Sequence, residues 1–159
     1  ARGELSFLPD LPTRMGEAFA AVPLGAPNKV FFRVAVGAMP FEGTTHFIGT
    51  NRDKRTGSYA TRPAKQEVLL AFFGGSLSIE LENRGELESF AREELSRIFG
   101  ARFNADLLAA VSTGWHNDPW SRGSYSAALP GKALLRDRLS EALDETVFFA
   151  GEALSLIHI

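Results

Sequence analysis

The sequence predicts an α+β fold, in which helices flank a mixed β-sheet. Several short apolar strands and at least three helical segments follow one another without regular alternation along 159 residues. The composition is that of an ordinary globular protein, with 45% hydrophobic and 23% charged residues. Thirteen phenylalanines are enough to fill a core. No apolar run approaches the ~18 residues that a membrane span needs, so no span is expected.

The first half of the chain predicts one helix and four strands. Pro12 and Thr13 begin a helix whose apolar stripe runs to residue 22. Residues 28–36 predict a strand, and their nearly continuous apolar character predicts burial on both of its faces. Short strands are expected at 45–49 and, after a polar turn, at about 58–61. A further apolar strand is expected at 66–75, where two glycines end it.

The second half predicts three helices and two strands. A short helix follows residue 76, and the strongest helical pattern spans 85–100, with Gly100 at its end. Glu93 and Glu94 are assigned to the solvent-exposed face of that helix. A strand at about 110–115, a helix at 131–143 and a final buried strand at 145–150 complete the prediction.

Composition and charge exclude several classes of function. The net charge of −2 and the lack of a basic cluster predict neither nucleic-acid nor anionic-membrane binding. The absence of cysteine excludes disulfides, thiol catalysis and cysteine zinc sites. The three histidines lack ligand spacing, so no metal site is expected. A hydrolytic set of Ser121, His116 and Asp118 is not expected, because residues so close in sequence rarely converge and no GxSxG motif is present. Without a signal peptide, a cytoplasmic location is expected.

The segment 115–131, "WHNDPWSRGSYSAALPG", carries both tryptophans and one of the two tyrosines of the chain. No helical or strand period runs through it, so an irregular loop is predicted. Its aromatic side chains could plug the end of a core. They could also, above glycines that allow close approach, wall off a planar ligand. Composition leaves both interpretations open.

Two motifs resemble one family. "W..DPWSRGSYSAALPG" and the later "VFFAGEA" are similar to the C-terminal part of the flavin-containing amine oxidases, which include monoamine and polyamine oxidases. "GELSFLPDLP", "NKVFFRV" and "FFGG" resemble the substrate-domain entry of the same family, so the resemblance covers nearly the whole chain. It implies a C-terminal fragment in which residues 1–115 form the substrate-binding domain. Residues 116–159 would then be a loop, helix and strand that return to an incomplete FAD-binding domain.

The resemblance assigns roles to the aromatic loop. Gly123, Ser124 and Tyr125 match the Gly-x-Tyr of the family, and Ser124 stands where the covalent enzymes have a flavin-linked cysteine, which implies non-covalent FAD. Tyr125 matches one wall of the aromatic cage for the amine, where a π face suits a cation. The alternative for Tyr125 is a core tyrosine with a satisfied hydroxyl. Trp115 resembles the tryptophan beside the isoalloxazine, whereas Trp120 is interpreted as plain packing.

The second motif places Gly151 and Glu152 at the Gly-Glu turn that contacts the FAD diphosphate and ribityl chain. Glycine permits close approach, and a backbone N–H there can meet phosphate oxygens. Because a carboxylate repels a diphosphate, Glu152 is expected to pair with a hydroxyl or with a distant arginine. The sequence departs from the family in several respects, two of which concern the flavin site. It has no GxGxxG fingerprint, and neither Lys29 nor Lys65 matches the lysine that holds a water near flavin N5.

The resemblance implies oxidative deamination of an amine. Hydride passes from the amine α-carbon to flavin N5, and O₂ reoxidises the flavin. The chain by itself is expected to be inactive, with an amine substrate and the missing FAD-domain segments as its partners. Apolar surface left uncovered predicts self-association into a homo-oligomer. The alternative function is a stand-alone α+β binding or interaction module without redox activity.

Overall fold

The computed structural model of the chain describes residues 5–154 and contains two compact units. The larger unit is Ala26–Ser124. The smaller unit combines the described residues up to 25 with those from 125 onward. The units thus divide at residues 25 and 124, whereas the sequence places a boundary at 115. Assignment of either segment to a substrate or an FAD domain stays a prediction. No helix within residues 5–154 is long and apolar enough to cross a membrane.

A five-stranded sheet forms the larger unit, in the order β2-β3-β4-β1-β5. The strands are β1 (Asn28–Val34), β2 (His46–Ile48), β3 (Ser58–Thr61), β4 (Val68–Phe73) and β5 (Leu107–Ser112). Every pairing is antiparallel, so the prediction of a mixed sheet is wrong. Parallel neighbours need a crossover connection. The only helical crossover between described strands runs from β4 to β5. It places β5 beside β1, so β1 lies between β4 and β5, the two strands that run in the same direction.

Two helices cover one face of this sheet, and their packing decides the burial of β1. Helices α2 (Gly75–Arg84) and α3 (Leu87–Phe99) share a core with β1, β4 and β5, and α4 (Phe103–Asp106) leads into β5. Along β1, Val30, Phe32 and Val34 are buried whereas Phe31 is 38% exposed. The predicted burial of both faces is therefore wrong, because only one face meets the helices and the pleat turns alternate residues away from them.

The helix α3 confirms the strongest predicted helix, but one of its glutamates lies elsewhere than expected. Glu93 is exposed, as predicted, whereas Glu94 is only 2% exposed. The Glu94 carboxylate accepts hydrogen bonds from Thr56 Oγ1 (2.7 Å), Gly57 N (2.8 Å) and Tyr59 Oη (2.6 Å). Burial raises the pKa of the Tyr59 phenol far above its ordinary value, and the hydrogen bond that its hydroxyl donates to Glu94 raises the pKa further. Glu94 thus joins α3 to the β2–β3 loop.

The smaller unit packs one α-helix against a 3₁₀ segment. Helix α1 (Thr13–Ala21) and the 3₁₀ helix Ala133–Ser140 share an apolar core. The core residues are Met15, Ala18, Ala21, Val22, Leu139 and Leu143. The helix predicted over 131–143 is therefore present only as 3₁₀ helix over its central part.

The final buried strand predicted at 145–150 is wrong. Residues 145–150 make a single bridge, between Leu143 and Val147, and Phe148 is 70% exposed. Phe149 is half-buried and stacks edge-on against Phe19 at 5.2 Å. A strand needs a neighbour for its backbone groups. The described residues of this unit supply no further strand to pair with it.

Candidate functional site

The loop that carries Trp115 is closed on itself in the larger unit. We refer to residues 113–123 as the Trp115 loop. Gly123 N donates to Trp115 O over 2.7 Å, so two candidate residues meet at the base of the loop. Inside it, Asp118 caps the chain by accepting from Ser121 N through its carboxylate (2.8 Å) and from Arg122 N through its carbonyl (2.8 Å). The hydrogen bond from the Ser121 side chain lowers the pKa of the Asp118 carboxyl. The absence of helix and strand here confirms the predicted irregular loop.

The side chains of this loop differ in exposure. Trp115 is 43% exposed, so part of its indole is accessible to a ligand. Trp120 is 92% exposed, and its interpretation as plain packing is wrong. Gly123 is buried with φ of 150°, a conformation that side-chain-bearing residues rarely adopt. Ser124 is half-buried. The flavin-contact roles of Trp115, Gly123 and Ser124 stay predictions.

Tyr125 begins the second part of the smaller unit. Its backbone carbonyl accepts from Gly25 N over 2.8 Å, and the following Ser126 forms a bridge with Leu24. These contacts hold the Tyr125 backbone, while the side chain is 51% exposed. The alternative of a core tyrosine is therefore wrong. Its role as a wall of an amine cage stays a prediction.

The Gly-Glu turn lies against the residue that follows Tyr125. Glu152 accepts from Ser126 N (2.9 Å) and from Ser126 Oγ (3.1 Å), so the expected hydroxyl partner is present. Gly151 has φ of 143°, and a Cβ added there would meet nothing within 4 Å. The backbone at Gly151 is therefore open to an approaching group. The smaller unit thus brings Tyr125, Gly151 and Glu152 together through one serine.

A buried arginine completes this contact. Arg136, only 4% exposed, donates through Nη1 to Ser126 Oγ (2.8 Å) and to Ala153 O (2.7 Å). Within residues 5–154 it forms no ion pair with a carboxylate, and its Nε has no hydrogen-bond partner. The Ser126 hydroxyl accepts from the cation and donates to Glu152. Ser126 therefore mediates between the two charges.

Sequence reasoning missed Ser126 and Arg136 at this turn. Ser126 follows Tyr125 inside the quoted motif, so it could have been included. Arg136 follows two leucines and precedes Leu139 in the 3₁₀ segment. The only signal in the sequence was therefore a charged residue at a core-facing position among apolar residues. For metal binding, no group of three or more His, Cys, Asp or Glu residues in the described part of the chain could hold an ion.

Comparisons with known proteins agree with the resemblance. The sequence model of the family described as "Flavin containing amine oxidoreductase" matches residues 2–158. The chain is 29% identical over 168 residues to lysine-specific histone demethylase 1 homolog 1 of Oryza sativa subsp. japonica, covering 96% of this chain and 19% of that protein. It is 35% identical over 89 residues to lysine-specific histone demethylase 1 homolog 3 of Arabidopsis thaliana, covering 54% of this chain and 6% of that protein.

The fold recurs among solved structures. A triple mutant of putrescine oxidase, made in a structure-based redesign of cofactor binding, superposes with a TM-score of 0.51 at 19% identity. The match covers 80% of this chain and 29% of that chain. The chain therefore spans less than a third of the length of each of these proteins. Because the family match extends over nearly every residue, the chain belongs to the flavin-containing amine oxidoreductase family.

Proposed function

We propose that this chain supplies part of the FAD site and one wall of the amine site of a flavin-dependent amine oxidase. The observation that carries the proposal is the contact of Ser126 with Glu152, 2.9 Å from N to carboxylate. It joins a half-exposed aromatic ring, that of Tyr125, to an open glycine backbone at Gly151. An aromatic wall suits an amine, and an open backbone turn suits phosphate oxygens.

The residues of the turn fit the cofactor. No described atom would lie within 4 Å of a Cβ added at Gly151. The Glu152 carboxylate already accepts two hydrogen bonds from Ser126, which compensates part of its charge. Gly151 and Glu152 would hold the diphosphate and ribityl part of FAD. Trp115, Gly123 and Ser124 would contact its ring system, without a covalent bond because Ser124 carries no thiol. When bound, FAD would supply a hydride acceptor that O₂ reoxidises.

The residues of the chain would act on the amine by binding and orienting it. The exposed face of Tyr125 would attract a cationic or neutral amine and displace water from it. The names of the similar proteins concern lysine and putrescine, both of which carry an amine on an aliphatic chain. We therefore propose an alkylamine as the substrate class.

Comparison of the full-length gene product with residues 1–159 tests this proposal. The full-length protein is expected to purify with a yellow, extractable flavin and to release hydrogen peroxide when alkylamines are added. Residues 1–159 alone are expected to do neither, because they contain no GxGxxG fingerprint and the missing FAD-domain segments must complete the site. Absorbance spectra and peroxide assays measure both.

A pair of aromatic substitutions sharpens the test. Tyr125→Ala is expected to raise KM for the amine roughly 2-fold to 30-fold, as loss of a cation–π contact predicts. Trp120→Ala is the matched control, since this ring is also exposed but is assigned no role. A full-length protein without flavin and without peroxide release would contradict the proposal and favour the stand-alone binding module.

Residues 1–159 expressed alone are also expected to self-associate. Large apolar side chains are exposed in both units, among them Leu134 and Phe148 in the smaller and Val36, Val111 and Trp120 in the larger. Exposed apolar area of this kind promotes association. Light scattering over a range of concentrations measures it. A monomer at every concentration would show that these side chains are too scattered to act as one surface.

A further inference from the structure

A buried polar network joins the start of β1 and the last turn of α2 to the Trp115 loop. Asn28 is fully buried, and both atoms of its amide are engaged twice. Its Nδ2 donates to Ser78 Oγ (3.0 Å) and Glu82 Oε2 (2.6 Å). Its Oδ1 accepts from Thr113 Oγ1 (2.9 Å) and from Trp115 N (3.2 Å). One side chain therefore reaches the backbone of the candidate tryptophan.

The Glu82 carboxylate continues the network along the loop. It accepts from His116 N at Oε2 (3.2 Å) and from Asn117 N at Oε1 (2.7 Å). Three consecutive backbone N–H groups, those of residues 115–117, are thus bound by the side chains of Asn28 and Glu82. Fixing three successive amides sets the direction of the chain at Trp115, and with it the direction of the Cα–Cβ bond that carries the indole.

These hydrogen bonds hold the chain beyond the end of strand β5, where pairing within the sheet has stopped. Strand β5 ends at Ser112, which pairs with Val30, and Thr113 N makes the next backbone bond, to Lys29 O (2.9 Å). Beyond that point residues 115–117 have no strand partner, and their N–H groups are bound by side chains. The sheet would pair equally well with an apolar residue at position 28. The amide is needed for the loop, because burying it costs free energy unless every polar atom is satisfied.

The anchor also reaches the other end of the loop. Trp115 O accepts from Gly123 N over 2.7 Å, so a shift of the Trp115 backbone is transmitted directly to Gly123. Gly123 immediately precedes Ser124, and both residues are assigned to the flavin ring together with Trp115. Both ends of the candidate flavin-contacting loop therefore depend on the same two side chains.

We propose that Asn28 and Glu82 are positioning residues that hold Trp115 and Gly123 in register for the flavin, an inference that rests on the function proposed above. Neither residue touches the cofactor in this assignment. Both act through the backbone of the Trp115 loop. Sequence reasoning assigned them no role, because their partners lie 34 to 87 residues away along the chain.

The substitution Glu82→Gln in the full-length protein tests the proposal. Glutamine keeps the size of the side chain but turns an NH₂ group toward one of the donors that the carboxylate accepts. Hydrogen exchange of the His116 and Asn117 amides is expected to accelerate about 10-fold or more. The visible circular dichroism of the bound flavin is expected to change, and kcat to fall roughly 10-fold to 100-fold with KM nearly unchanged, as displacement of a positioned group predicts. Glu93→Gln, an exposed glutamate in α3, is the matched control.

A second pair of variants keeps the test decisive if Glu82→Gln folds poorly. Thr113→Val removes the hydroxyl that donates to Asn28 and should reproduce the flavin change, whereas Thr113→Ser restores the hydroxyl and should rescue it. If wild type binds flavin and oxidises amines, and Glu82→Gln and Thr113→Val match the control in flavin spectrum and kcat, the positioning role is overturned and the proposed function stands. If wild type does neither, the proposed function itself fails, and with it the flavin role of this anchor.

Discussion

Replacement of Glu94 by alanine is expected to lower the free energy of unfolding by about 3–5 kcal/mol, since unsatisfied buried donors cost roughly 1–3 kcal/mol each. Three donors would lose their acceptor, those of Thr56, Gly57 and Tyr59. Tyr59 is 2% exposed, so water cannot readily replace the lost bond to its hydroxyl. The change would also leave a cavity between α3 and the β2–β3 loop.

Urea denaturation of wild type, Glu94→Ala and Glu94→Gln measures this loss. Glutamine keeps one carbonyl acceptor, so its effect is expected to be smaller than that of alanine. Glu93→Ala, one residue away on the same helix, is exposed and should change the free energy by no more than about 0.5 kcal/mol. Equal effects at positions 93 and 94 would mean that the buried carboxylate is not what joins the helix to the loop.

Glycines near Glu94 show that the loop is shaped around this carboxylate. A Cβ added at Gly49 would lie 2.4 Å from Glu94 Oε1 and 2.5 Å from Thr56 Oγ1. A Cβ at Gly57 would lie 2.6 Å from the Phe73 ring. Side chains at either position would force the carboxylate or the ring out of place. Glycine is therefore required at positions 49 and 57, because the backbone there passes close to the side chains of Glu94 and Phe73.

Glu94 also shows how far the sequence alone could go. The apolar stripe of α3 predicted the helix and most of its core face, with Leu87, Ala91 and Leu95 buried but Ile98 exposed. Glu94 lies seven residues after Leu87 and three after Ala91, on the edge of the same stripe. We predicted that Glu94 is exposed to solvent because it is charged, although its position in the helix favours the core face. The donors that make its burial favourable are 35 to 38 residues away, and no local pattern reveals them.

Apolar runs predicted strands well only where the fold supplies partners. The apolar segments at 28–36 and 66–75 both became strands of one sheet, because each has a neighbour on at least one side. The run at 145–150 is as apolar as these, but it has only the Leu143–Val147 bridge in its unit. Strand formation depends on such neighbours more than on propensity. Hydrophobicity alone therefore could not separate these cases.

The residues of the candidate site are also of two kinds, those that the sequence identifies and those that only the structure reveals. Motif resemblance identified Tyr125, Gly151 and Glu152, and the structure joins them through Ser126. Resemblance assigns residues that contact ligand atoms, whereas the residues that hold them are recognisable only once the chain has folded. Asn28, Glu82 and Arg136 belong to this second kind. Each is a polar group that its contacts, and not its neighbours in sequence, make necessary.

Arg136→Met in the full-length protein is expected to weaken FAD binding about 10-fold to 100-fold, since a hydrogen bond to a charged group is worth roughly 1.5–3 kcal/mol. Methionine retains much of the apolar stem that packs in the smaller unit. It removes the donor that Nη1 supplies to both Ser126 Oγ and Ala153 O. Without it the segment at 151–153 loses its hydrogen bonds to the 3₁₀ segment, and the Ser126 hydroxyl keeps only its bond to Glu152. The turn would then have to be ordered by FAD itself, which costs binding free energy.

Titration of the apoprotein with FAD, followed by flavin fluorescence, measures the change in Kd, and thermal unfolding of the same apoprotein separates it from a loss of folding. Arg138→Met is the matched control, because Arg138 lies in the same 3₁₀ segment with its side chain exposed. Ser126→Ala removes the hydroxyl that lies between Arg136 and Glu152 but keeps the backbone N–H that Glu152 accepts. Its effect should therefore fall between those of the two arginine variants. An Arg136→Met protein that binds FAD as tightly as Arg138→Met would mean that the turn holds its shape without the buried cation. The two hydrogen bonds from Ser126 would then be enough to position Glu152.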